Sequence, residues 1–115
     1  MKTFDLTQKL KNIDGNVDEQ LVPIKYDELV DGEIVQKTKV EKMSLTLGKL
    51  LEHCLFHRDV ELTEQEVLQR IDMVERIHNK EQVKLEDEEV SLLKKLILKK
   101  YDVFFGGQAL RMLNQ

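Results

Sequence analysis

A chain of 115 residues with a net charge of −4 and a pI near 5.4 offers one ordinary core and no overall positive footprint. That balance argues against nonspecific binding to nucleic acid or to anionic membranes. With 41% hydrophobic and 35% charged residues the composition is that of a folded domain, and with no Trp and 5% aromatics its core must rest on Leu, Ile and Val.

At this length two separate cores would each be marginal, so a single domain over 1–115 is expected. Its character changes near Met43, from a β-rich part (1–43) to a helical part (44–115). Phe4, Leu6 and Leu10 share parity and read as a half-buried strand. Asp14-Gly15 and Asp31-Gly32 are turn signals, because Gly accepts positive φ without a Cβ clash. Pro23 demotes its segment to an edge strand or loop, and Glu33 to Val40 alternates loosely. Two to four short strands are predicted here.

Thr46 can cap a helix running to about His57, with Leu47, Leu50, Leu51, Cys54 and Leu55 on one face. Thr63-Glu64-Gln65-Glu66 is a capping box, and its helix carries Val67, Leu68, Ile71, Val74 and Ile77 on the apolar side. A third helix opens on Glu86-Asp87-Glu88-Glu89 and closes on Lys99-Lys100, charges that complement the helix dipole. Gly106-Gly107 predicts a break before a short last helix over Gln108 to Leu113. The fold class expected is α+β: a small N-terminal β-hairpin or sheet element followed by a bundle of three or four helices.

His53 and His57 stand four apart on one helical face and are weak candidates for a metal site. No Cys or His cluster completes the ligand set, so no metal or other cofactor is expected. Cys54 is the only cysteine, which excludes an internal disulfide and fits a reducing compartment; a small buried hydrophobe is its expected role. Lys94, Lys95, Lys99 and Lys100 are candidate ligand or phosphate contacts, weighed against a solvated helix face. Tyr101, Phe104, Phe105, Gly106 and Gly107 form the most unusual stretch, either a plug closing the bundle or an exposed patch that docks a partner or a second copy. No activated group with an orienting partner is recognisable, so a non-enzyme is expected. The start of the chain lacks the apolar run of a signal peptide, no stretch is long enough to span a bilayer, and a cytoplasmic location is the expectation.

Three segments taken together resemble a loosely defined group of small proteins encoded by tailed phages and prophages. They are Phe4-Asp5-Leu6 with Leu10-Lys11-Asn12-Ile13-Asp14-Gly15, then Leu45-Thr46-Leu47-Gly48-Lys49-Leu50-Leu51-Glu52, and finally Val83-Lys84-Leu85 with Glu88-Glu89, the Leu92 to Ile97 run and Gly107-Gln108-Ala109-Leu110. The stretch from Gln20 to Val40 is longer than that pattern expects. The resemblance carries no catalytic residue. It implies a phage context, that of an assembly or accessory protein or one that engages a host factor in the host cytoplasm. The function expected is contact with a phage or host protein, by a chain that forms a homo-oligomer. A second reading is a small-ligand or nucleotide-binding phage protein that counters host defence, its site lying between subunits.

Overall fold

A computed structural model of the chain describes residues 1–11, 15, 20–56 and 62–115, with Gln20 and Met43 described for their backbone alone. The fold is α+β. Its elements are β1 (Lys2–Asp5), β2 (Gln20–Val30), β3 (Glu33–Met43), α1 (Leu47–Phe56), α2 (Glu64–Ile77), β4 (Gln82–Leu85), α3 (Asp87–Lys100) and α4 (Val103–Leu113).

The Phe4, Leu6, Leu10 series is buried as its parity predicts, but it is not one continuous strand. Asp5 ends β1 by accepting from the Thr7 amide at 2.9 Å and from the Thr7 hydroxyl at 2.6 Å, which holds the carboxyl below its ordinary range. Beyond that turn the chain runs antiparallel to the entry of α1. The Leu10 amide donates to Leu45, the Leu47 amide to Gln8 and the Gly48 amide to Leu6. Gly48 is what permits the approach: a Cβ there would lie 3.2 Å from the Leu6 Cβ and 3.3 Å from its carbonyl oxygen.

β1 pairs with β4, Phe4 opposite Val83. This fourth strand stands between two helices, inside the part expected to be helical, so the two halves of the chain share a sheet. β2 and β3 form a separate antiparallel hairpin, closed by Asp31 and Gly32 at φ +52° and +82°. Two consecutive positive φ values in a two-residue loop make a type I′ turn, whose twist matches the flanking strands. Pro23 is accommodated because a two-stranded hairpin has only edge strands. Of the first turn signal, Asn12 to Asp14 lie outside the described residues, and Gly15 has φ +84°.

α1 lies at the centre. It packs against α2, α3 and α4, and Leu47, Leu50, Leu51 and Cys54 are fully buried. Thr46 caps it by accepting from the Lys49 amide at 3.2 Å. The Thr63–Glu66 capping box opens α2, and Glu86 and Glu89 form an acidic counterpart at α3.

Two helices depart from the expected pattern. α2 buries Arg70, Met73, Val74 and Ile77, while Val67, Leu68 and Ile71 face solvent. Of the predicted apolar side only Val74 and Ile77, in its C-terminal half, are buried. In α4 the glycine pair does not break the helix, which starts earlier, at Val103. Asp102 caps it by accepting from the Phe105 amide at 2.9 Å, and Gly106 lies against Ile97 and Tyr101 where α3 and α4 meet.

Candidate functional site

The aromatic segment divides between core and surface. Tyr101 and Phe105 are buried, and Gly106 is buried beside them. Tyr101 also bridges antiparallel to Ile24, tying the base of the hairpin to the end of α3. Phe104 remains partly exposed, its ring edge-on to Phe105, and Val103 is 94% exposed. Leu98, Val103, Gly106, Gly107 and Leu110 line a shallow cleft of about 250 Å³ there.

The four candidate lysines do not make one patch. Lys94 donates to the Asn114 side chain at 2.5 Å, and Lys99 pairs with Asp27 of β2 at 3.0 Å. Lys100 follows Leu93, Leu96 and Ile97 on the inner face of α3 and is 1% exposed, with its interactions inside the fold. Only Lys95 points freely outward on the helix surface. Helical spacing explains this: positions 94, 95, 99 and 100 fan around the axis rather than along one face.

Cys54 is buried, and desolvation pushes its thiol up to about 12 against the lowering influence of Lys100 and Arg70. A thiol so held is protonated and poorly nucleophilic. The Tyr101 hydroxyl, raised first by burial and then by Cys54 and Glu41, is the one buried side-chain polar atom without a hydrogen-bond partner among the described residues.

His53 lies on α1 in a depression of about 390 Å³ with Ser44, Lys49, Glu52, Phe56 and His78, whereas His57 lies outside the described residues. Among the described residues no group of three or more His, Cys, Asp or Glu side chains could hold a metal ion. Sequence reading missed the contact that does form in this depression: Glu52 Oε1 meets His78 Nδ1 at 2.5 Å. Twenty-six positions separate the two, and no local signal links them. A carboxylate orienting an imidazole is half of a general-base arrangement, but no hydrogen bond carries it on to the Ser44 hydroxyl among the described residues.

An apolar groove lies between α1 and α2. Leu55, Phe56, Leu62, Val67, Arg70, Ile71 and Val74 line a cavity of about 180 Å³. Phe56 is 65% and Ile71 52% exposed at its rim, Val67 joins them, and Leu68, 60% exposed, follows Val67 on α2. Scattered apolar residues are ordinary on a surface; a contiguous group around a concavity is the usual mark of a binding surface.

No protein-family model matches the chain, and neither a curated protein nor a solved structure matches it. Among the described residues no helix is long and apolar enough to cross a membrane.

Proposed function

We propose that this chain is a non-enzymatic accessory protein of the tailed-phage type, acting by protein–protein contact through the groove between α1 and α2. The observation that carries the reading is the apolar rim itself: Phe56, Val67 and Ile71 stay partly in water although the same helices bury Leu51, Cys54, Met73 and Ile77. Val67 and Ile71 stand one helical turn apart on α2, so the rim is a ridge suited to the apolar face of a partner's amphipathic helix. The acids of α2 that flank it, Glu64, Asp72 and Glu75, favour a partner helix edged with Lys or Arg.

The buried, protonated thiol of Cys54 and the incomplete Glu52–His78 pair supply no activated nucleophile, which supports a binding role over catalysis. The nucleotide-binding alternative gains nothing from the dispersed lysines.

The test is site-specific photocrosslinking in the native host. A benzophenone side chain at position 56 is expected to give one discrete adduct, lost when Ile71→Asp is added to the same chain. A probe that yields no adduct there, or one that Ile71→Asp leaves untouched, would overturn the assignment of this groove.

A further inference from the structure

A different surface, independent of that groove, is left open by the hairpin. Val22 and Ile24 root β2 in the core, but β3 from Glu33 to Val40 is exposed throughout. On its outer side β2 meets Tyr101, whereas the outer edge of β3 pairs with nothing among the described residues. An exposed strand of this length is a template for another strand, and a two-stranded ribbon alone is marginally stable in water.

We propose that the edge of β3 pairs with the same edge of a second copy, antiparallel about Gln36, to give a continuous sheet β2-β3-β3′-β2′. Backbone polarity permits it. Val30 and Glu33 close the turn as a bonded pair, and bonding alternates along an antiparallel ladder, so Ile34, Gln36 and Thr38 aim their N–H and C=O groups outward. Antiparallel pairing of identical edges sets those positions opposite one another: Gln36 faces its own copy and Ile34 faces Thr38.

Charge and the length of overlap narrow the register. β3 reads Glu33, Ile34, Val35, Gln36, Lys37, Thr38, Lys39, Val40, Glu41, Lys42. Lysines usually protect an edge from its own kind. Here registers centred on positions 37, 38 or 39 set lysine against lysine and are disfavoured. Centring on Gln36 instead places each Glu33 opposite Lys39 of the other copy, where it joins the Lys39–Glu41 pair at 2.8 Å, and lays Val35 against the Lys37 stem. Lys37 itself is already neutralised by Glu28 at 2.6 Å. A register centred on Val40 also matches charges, but it drives the partner's turn past Met43 into the buried Leu45 and Leu47. Centred on Gln36, the partner's strand ends at Lys39, short of the packed base of the hairpin. The exposed tip residues Leu29 and Ile34, opposite each other on one face, gain cover from Thr38 of the second copy.

The test is sedimentation velocity of the full chain across micromolar to millimolar concentration, with three variants. Gln36→Pro removes an outward N–H and no hydrogen bond of the hairpin, so helical and strand signals by circular dichroism stay as they are while the dimer Kd rises at least about tenfold. Glu33→Lys and Lys39→Glu each weaken the dimer, and the double variant restores it, because the swapped charges meet again across the axis. A chain that is monomeric at every concentration overturns the proposal. So does a dimer that both Gln36→Pro and the single charge reversals leave unchanged, since such a dimer uses another surface.

Discussion

Gln108 of α4 grips the backbone of Lys11 from both sides: its Oε1 accepts from the Lys11 amide at 2.8 Å, and its Nε2 donates to the Lys11 carbonyl at 2.7 Å. One side chain thus stands in for a strand partner at the end of a segment that pairs with the entry of α1 through Leu45, Thr46 and Leu47. Gln108→Ala deletes both bonds and should cost about 1–2 kcal/mol, seen as a fall in Tm of roughly 5 °C. Gln108→Glu keeps the acceptor but turns the donor into a second acceptor facing the carbonyl, so it should not rescue the loss.

Two helical glycines should respond in opposite directions. Gly107 has open space where a Cβ would stand, so Gly107→Ala gains helix propensity and should raise stability by about 0.5–1 kcal/mol. Gly48 has Leu6 where its Cβ would stand, and Gly48→Ala must push apart β1's continuation and α1, at a cost of about 1–3 kcal/mol. Chemical denaturation of the two variants, compared at equal m-value, checks the sign of each.

Alkaline pH should destabilise the fold. The unfolded chain releases the Cys54 proton near 9.0, whereas the folded chain holds it to about 12. Between those values the folded state binds the extra proton, so stability falls as pH rises through that window; the raised Tyr101 hydroxyl adds in the same direction from 10.0 upward. Urea midpoints at pH 8, 9.5 and 11 should decline in order, and Cys54→Ala should flatten the early part of the slope. A thiol reagent should label native Cys54 only as fast as the protein opens.

The ridge on α2 should be inert to folding. Leu68→Lys and Ile71→Asp remove apolar side chains that are already in water, so Tm should shift by no more than about 0.5 kcal/mol equivalent. The same changes should reduce binding of a fluorescent apolar dye to the native protein. A large loss of stability would mean that these side chains pack inside the fold.

What could be read from the sequence was what local chemistry dictates. Thr63 and Glu66 cap α2 by contacts three residues apart, Asp31-Gly32 forces a turn through its own φ values, and the acidic start of α3 sits where the dipole favours it. Features decided by distant partners could not be read this way. β4 has four residues and becomes a strand only because β1 lies beside it. The inner face of α2 is chosen by where α1 stands, so Arg70 and Met73 go in while Val67 and Leu68 stay out. Gly106-Gly107 signals a break in any isolated peptide; Asp102 and the close approach to Ile97 overrule it. The functional surfaces follow the same division. Tyr101 and Phe105 were notable as types, but their neighbours decided that they are core, and Glu52 and His78 were joined only by folding.

The pairing of Phe4 with Val83 sets an order of events during synthesis. The first strand emerges from the ribosome without its mate and must wait until two helices and the loop after them have been made. Leu47, Leu50 and Leu51 wait as well, because α3 and α4, which cover them, are translated after them. A nascent chain of this kind carries a bare leucine stripe until those helices have been made, so its yield in a cell should follow the supply of chaperones that shield such stripes.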